Sequence, residues 1–384
     1  MDINAFQKSS SGRLHKASAG YWYFAPNPLP PQKMPDFKGE LLAAISAADR
    51  ELGHLRGLIE FLPNPDLIMA PYVRREAVLS SKIEGTRSSL SDLFYYEASG
   101  ESKDIEDVRE VLNYVHALKE GMAGLKRLPL SLRLVREIHK VLMRGVRGDI
   151  ATPGELRRSQ NWIGRPGSAL ETATYVPPPA EEMHDCLSDW EKFLHLRDDL
   201  PILVKCGLMH YQFEAIHPFL DGNGRVGRLL ISLYLFERGH LPHPALYLSG
   251  FFEKYRREYY DGLLSVSQRG DWAGWLAYFL NGVATQSGLA VQCAKRLLKL
   301  HEDYLKKISQ DKNKKRLTIL IDELFKNPYI TLKRSSELTK AAFNTAKADM
   351  AYLSRLGFVK EITGQRRNRV FCAGEVLKSI ESGE

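Results

Sequence analysis

Cysteine is scarce in this chain. The four residues among 384, Cys186, Cys206, Cys293 and Cys372, are widely scattered and form no Cys-x-x-Cys pair. That spacing argues against a disulfide framework and against a structural zinc site, and leaves buried free thiols. Also missing is any stretch near the ~20 uncharged apolar residues that a membrane helix needs. The start, Met1 to Ser9, lacks the basic residues and apolar core of a secretory signal, so the expected address is cytoplasmic, with no membrane partner. Neither sign of charge dominates: 54 Lys and Arg stand against 46 Asp and Glu, a net +8. So modest an excess suits nucleotides, acidic partners or nucleic acid without choosing among them. With 44% apolar residues over this length, the chain has material for two or three soluble domains.

The most organised stretch is His217-Pro218-Phe219-Leu220-Asp221-Gly222-Asn223-Gly224-Arg225-Val226-Gly227-Arg228, which opens onto the apolar run 229–236. A glycine-rich turn leading into a helix aims backbone N–H groups at an anion. Arg225 and Arg228, three apart, add charged donors on one side of the first turn, so the expected anion is a polyphosphate. Gly222 and Gly224 permit close backbone approach, and Asn223 tolerates an unusual turn and offers a side-chain donor. Asp221 supplies the single carboxylate that Mg²⁺ takes alongside phosphate oxygens and water. His217, with an ordinary pKa of ~6.5, is mostly neutral near pH 7 and can accept a proton.

The stretch carries every fixed position of the Fic (Fic/Doc) signature, His-x-Phe-x-(Asp/Glu)-Gly-Asn-Gly-Arg-x-x-Arg, and the chain resembles that family from about Tyr21 to Ala290. Ser80-Ser81-Lys82-Ile83-Glu84-Gly85 resembles the family's autoinhibitory motif, with Ser80, Glu84 and Gly85 at its fixed places. Residues 158–164, with Gln160, Asn161, Trp162 and Ile163 at their centre, together with 175–179 resemble its target-docking flap. The resemblance implies an all-α, Fic-type catalytic domain with a β-hairpin flap. It also implies protein adenylylation: His217 deprotonates a Ser, Thr or Tyr hydroxyl on a target protein, and that hydroxyl attacks the α-phosphate of ATP. Gly222, Asn223, Gly224 and Arg225 then steady the α- and β-phosphates, and Arg228 orients the γ-phosphate once Glu84 releases it. Glu84 closes a helix, where a negative charge is disfavoured, and Arg228 is its candidate partner. ATP and Mg²⁺ are the implied small molecules. A homodimer is compatible with the resemblance, and nothing in the sequence demonstrates it. Removal of AMP by hydrolysis is the alternative activity, with phosphorylation, phosphocholine transfer and UMP transfer known among divergent members. Tyr255 stands where the family usually has Asn, so adenine contacts are not carried over to it.

Along the chain, the first ~20 residues are expected to be mobile until the aromatic run 21–24 finds a surface, and the proline-rich run 26–31 to be extended. Helical spacing covers roughly 39–61, ended by Pro63-Asn64-Pro65, then 72–84, 90–94, 104–121 and 130–144. Between 145 and 179, Gly145, Gly148, Pro153, Gly154, Gly164, Pro166 and Gly167 break the pattern around a hairpin of 161–163 with 174–176. Helices resume at 181–196 and 201–215, and Pro218 restricts His217 to an extended shape. Residues 248–260 read as one helix, and 271–308 as a pair of helices or one long one. The expected division is an N-terminal arm and inhibitory region over 1–110, the Fic domain over 111–308 and a winged-helix domain over 314–384. In that last domain helices at 317–325, 335–343 and 345–356, the final one capped by Asn344, precede strands at 358–362 and 368–372. A DNA-binding regulator is the non-enzyme reading of this end, with Lys347, Arg355, Arg366, Arg367 and Arg369 as backbone contacts.

Overall fold

The computed structural model describes residues 1–381 apart from 63, 103, 147–151 and 166, so Pro63, Gly148 and Pro166 lie outside the described residues. The chain divides into two compact units, Met1–Arg56 with Asn113–Ser287, and Gly57–Leu112 with Gly288–Glu384. These divisions fall inside α2 (Gly39–Glu60), α5 (Ile105–Leu125) and α12 (Trp272–Lys307), the last an uninterrupted helix. They differ from the expected division at 110 and 308, because residues 57–112 pack with the C-terminal tail. The protein is mostly helical, and among the described residues no helix is long and apolar enough to cross a membrane.

The first unit is built on α8 (Ile202–Ile216), in which every residue from Leu203 onward is buried. A helix buried on all sides has no polar face, so the groups around it must satisfy one another. The indole N–H of Trp190 donates to the Met209 carbonyl at 3.0 Å, and that of Trp275 to Gly207 at 2.9 Å. Around α8 pack α7 (Ala180–His195), α9 (Asn223–Glu237) and α11 (Arg256–Arg269), while α6 (Leu132–Leu142) lies against α9. The segment 248–260 is divided at Tyr255 into α10 (Ser249–Lys254) and α11, because Tyr255 leaves the helical region at φ −112° and ψ 47°.

The N-terminus is ordered, contrary to expectation. After α1 (Ile3–Phe6), β1 (Gly12–Lys16) pairs antiparallel with β2 (Trp22–Pro26), Gly12 opposite Pro26 and Lys16 opposite Trp22. The cause is aromatic: Phe6 and Phe24, with ring centroids 5.5 Å apart, are both buried, and Phe24 lies 6.0 Å from Tyr175. Gly12 is required there, since a Cβ would meet the Phe24 ring at 2.4 Å. The hairpin expected at 161–163 and 174–176 is reduced to one bridge, Ile163 with Tyr175. The Val176 carbonyl instead accepts from Phe24 N–H at 2.9 Å, so the N-terminal strand takes the pairing a longer flap strand would need.

In the second unit α3 (Asp66–Ile83) begins six residues before the expected start at Tyr72 and carries Pro71 inside it. It packs against α13 (Lys314–Lys326), α16 (Gly374–Glu381) and α4 (Leu90–Ser99). A reciprocal Ser89–Asp92 capping box starts α4, and Gly100 at φ 77° ends it. The tail continues with β3 (Tyr329–Thr331), α14 (Leu332–Thr339), α15 (Phe343–Arg355), β4 (Lys360–Glu361) and β5 (Val370–Cys372), the strands lying antiparallel in the order β3-β5-β4. Neither β3 nor α16 is apparent from the sequence pattern. Ala342, not Asn344, is the N-cap of α15; Asn344 falls inside the helix, two residues past the cap.

Candidate active site

The turn between α8 and α9 brings the signature residues together. His217 ends α8, as expected, but in the left-handed region at φ 50° and ψ 62° rather than extended. Its N–H still closes the helix on the Phe213 carbonyl at 3.1 Å, and the strained carbonyl that results is held from outside. Arg157 Nε donates to it at 2.9 Å and Asn161 Nδ2 at 3.3 Å. Arg157 is fully buried and also donates to the carbonyls of Pro178 and Ile216, and to Ser159 at 3.3 Å. Burial lowers its pKa to about 10, which leaves it charged at neutral pH. The His217 Nδ1 lies 3.3 Å from the Glu214 carbonyl, which accepts from it. That contact assigns the proton to Nδ1 and makes Nε2 the basic nitrogen.

Asp221 and Gly222 follow. Asp221 Oδ1 accepts from Gly222 N–H at 2.5 Å and lies 3.4 Å from Arg225 Nη2, while the side chain is half exposed and its second oxygen has no partner among the described residues. One carboxylate oxygen open to solvent fits a Mg²⁺ ion that retains water and takes the rest of its ligands from phosphate. Gly222 is left-handed at φ 78°, and a Cβ there would meet the Met143 sulfur at 2.9 Å. Asn223 differs from expectation. Its carboxamide is buried and closes the loop on itself, Oδ1 accepting from Phe219 N–H and Nδ2 donating to Phe219 O, each at 2.8 Å. One of its two amide hydrogens is therefore engaged in closing the loop, and its backbone N–H lies in the first turn of α9. The first N–H groups of α9, from Asn223 to Arg225, precede the first intrahelical bond, from Val226 N–H to Gly222 O at 3.0 Å. Helix starts of this kind hold anions. Arg225 and Arg228 are both buried, Arg225 resting 3.7 Å from Met143 Sδ.

Three supporting residues carry no local sequence signal. His139 of α6 stacks on Phe219 with centroids 3.7 Å apart and planes 6° apart. Its Nδ1 accepts from Gly154 N–H at 2.9 Å, so Nε2–H donates to the Asp221 carbonyl at 3.0 Å. Burial pushes its pKa down to about 4, against the opposing bond to Asp221. His210, also neutral at about 3 because of burial and the Arg228 charge, bridges the Gly227 carbonyl and the Tyr259 hydroxyl. Gly227 makes room for Glu214, whose Oε1 would lie 2.2 Å from a Cβ there.

In the flap segment, Gln160 Nε2 donates to Pro177 O at 2.9 Å and Asn161 Nδ2 to Phe219 O at 2.9 Å, so both side chains hold the segment in place. Ile163 uses its N–H and C=O on Tyr175 and Thr174. Trp162 is 41% exposed, and its main-chain N–H and C=O make no hydrogen bond among the described residues.

The remaining sequence candidates lie in the second unit. Ser80 is fully buried in α3, Glu84 caps that helix with its N–H on the Ser81 carbonyl at 3.0 Å, and Gly85 turns away at φ 103°. Lys347, Arg355, Arg366 and Arg367 are exposed and Arg369 half-buried, on α15 and the β4–β5 turn.

Residues 42–123 match the Fic/DOC family N-terminal model and residues 129–235 the Fic/DOC family model. Both Fic/DOC family models thus match in succession within residues 42–235. It is similar to a protein adenylyltransferase Fic of Aedes aegypti, 29% identical over 49% of this chain and 36% of that protein. The one from Drosophila grimshawi is likewise 29% identical, over 44% and 32%. The chain thus spans about a third of the length of these curated relatives. The fold resembles that of a Fic family protein from Desulfovibrio desulfuricans G20, at TM-score 0.55 and 18% identity over 90% of this chain and 98% of that one. Fic-1 from C. elegans (residues 134–508) aligns at TM-score 0.53 and 23% identity, over 69% and 74%.

Proposed function

We propose that the chain is a protein adenylyltransferase that moves AMP from ATP to a Ser, Thr or Tyr hydroxyl of a target protein and of itself, restrained by Glu84. The observation that carries this reading is the intact His217–Arg228 turn, with Nδ1 of His217 bonded to the Glu214 carbonyl and Nε2 left as its base. Nε2 takes the hydroxyl proton, the hydroxyl oxygen bonds the α-phosphorus, and the bond to pyrophosphate breaks. AMP stays on the target and the proton on His217. The start of α9 and Arg225 steady the α- and β-phosphates, with Arg228 at the γ-phosphate. Asp221 would hold Mg²⁺, which neutralises phosphate charge when bound. The unpaired main chain of Trp162 suits an extended target segment, which an exposed strand edge binds through its backbone. Such recognition carries little side-chain specificity.

Intact mass and label transfer test the reading on the wild type, Glu84→Gly, His217→Ala and Glu84→Gly/His217→Ala, each with Mg²⁺ and ATP labelled at the α or γ position. Glu84→Gly is expected to raise incorporation about tenfold or more, as a lifted restraint of ~1.4 kcal/mol would. Each AMP adds ~329 Da and carries α-label only. His217→Ala is expected to lose ~10²-fold or more in transfer while still binding ATP. Transfer of γ-label, or turnover surviving without His217, would overturn the mechanism. An unchanged rate in Glu84→Gly would remove the restraint alone.

A further inference from the structure

The tail of the second unit makes a concave, basic face that the transfer reaction does not use. A cleft of about 710 Å³ is walled by the start of α14, the start of α15 and the β4–β5 turn, with the end of α4 along its rim. Its cations are unevenly committed. Arg334 is bound to Glu323 at 2.9 Å, whereas Lys333, Lys347, Arg366, Arg367 and Arg369 have no ion pair among the described residues. The acids on the rim are partly neutralised: Glu97 is gripped by Arg74 at 2.6 Å and Glu323 by Arg334, leaving Glu101 and Glu337. Positive charge is therefore in excess on three sides of one concavity.

We propose that α13 to β5 is a winged helix that binds duplex DNA, with α15 in the major groove and the β4–β5 turn on the backbone. Two observations favour a duplex over a small anion or an acidic peptide. First, α15 presents an outward face without a hydrophobic stripe. Phe343, Asn344, Lys347, Ala348, Ala351 and Ser354 are exposed along it, while Ala346, Met350 and Leu353 face inward. Small residues let a helix approach base edges, Asn and Lys at its start are direct readers of purines, and an exposed Phe, here 54% exposed, matches a thymine methyl. Because Ala342 is the cap, the Asn344 carboxamide makes no hydrogen bond among the described residues and remains available to a base. Second, the β4–β5 turn is a held shape. The Glu361 carboxylate accepts from the N–H groups of Thr363 at 2.9 Å and Gly364 at 3.0 Å and from the Thr363 hydroxyl, and Arg369 Nε closes on the Gln365 carbonyl at 2.9 Å. Between those ties Arg366 and Arg367 stand exposed, where phosphate contacts position a duplex without reading it. A major groove about 12 Å wide admits α15, whereas the narrow major groove of A-form RNA does not.

The proposal does not rest on the transfer reaction and is tested on full-length His217→Ala protein, so its failure and the failure of the enzymatic reading are separate results. The protein is used to select from random-sequence DNA duplexes three helical turns long, and affinity for the selected and unselected pools is then measured across a salt series. An enriched sequence is expected, with an affinity that falls steeply as salt rises. Arg366→Ala/Arg367→Ala is expected to weaken both pools alike and reduce the slope of log K against log salt by about 2. Asn344→Ala is expected to keep affinity for the unselected pool within about twofold while the preference for the selected sequence falls about tenfold. All three side chains are exposed, and an unchanged melting temperature shows that the variants fold. The proposal is overturned if low salt retains no duplex, if no sequence is enriched, if the arginine pair leaves the slope unchanged, or if Asn344→Ala leaves the preference intact. The first of these results, combined with retention of poly-glutamate that Arg366→Ala/Arg367→Ala abolishes, assigns the cleft to acidic peptide.

Discussion

His139 shows how a residue outside the signature bears on it, because its ring lies under Phe219 and its Nε2–H reaches the Asp221 carbonyl. Its folded pKa is about 4 against an ordinary 6.5, so between those pH values the unfolded chain binds the proton that the folded one refuses. Stability is intact above pH ~6.5 and declines as pH falls toward 4, by at most about 3 kcal/mol for this histidine. His210, held neutral to about 3, acts in the same direction. His139→Gln is expected to shrink the drop in melting temperature between pH 6.5 and pH 4, read by a pH series of thermal melts. Gly222→Ala places a Cβ 2.9 Å from the Met143 sulfur at φ 78°, and should cost about 1–2 kcal/mol in urea denaturation and reduce AMP transfer. The sequence displayed His217, Asp221 and Gly222 because twelve consecutive residues carry them. His139 and Arg157 were illegible because tertiary folding alone brings them to the loop. Asn223 was legible in position, but not in its loop-closing bonds, which depend on Phe219 lying beside its side chain.

At the scale of elements, periodic apolar residues located α2, α5, α6 and α7, whose buried faces repeat with the helical turn. The pattern was less informative where the backbone is decided by distant partners. Tyr255 breaks one expected helix into two, and the flap keeps a single bridge because β2 competes for Val176. The N-terminal hairpin is held by the cluster of Phe6, Phe24 and Tyr175 as well as by its own turn. Phe24→Ala, removing a fully buried ring, should cost about 3–5 kcal/mol and make residues 1–26 the first site of limited proteolysis.

For the whole molecule, the sequence was read as dividing after 308, and it carried no sign that 57–112 and the tail are one compact body. Contacts between segments so far apart leave no local trace. Ending the chain after 308 removes α13 and α16, on which α3 packs. Amide exchange over 66–99 is then expected to accelerate by orders of magnitude, with protection over 202–237 retained, as hydrogen-exchange mass spectrometry of the shortened chain would check. The packing of α3 on α13 and α16 also has a genetic consequence. A stop codon downstream of 308 spares the coding region of the His217 turn yet deletes the support of the helix that ends in Glu84. On the proposed role of Glu84, such alleles behave as dominant gains of function rather than nulls, and intragenic suppressors of them fall at His217.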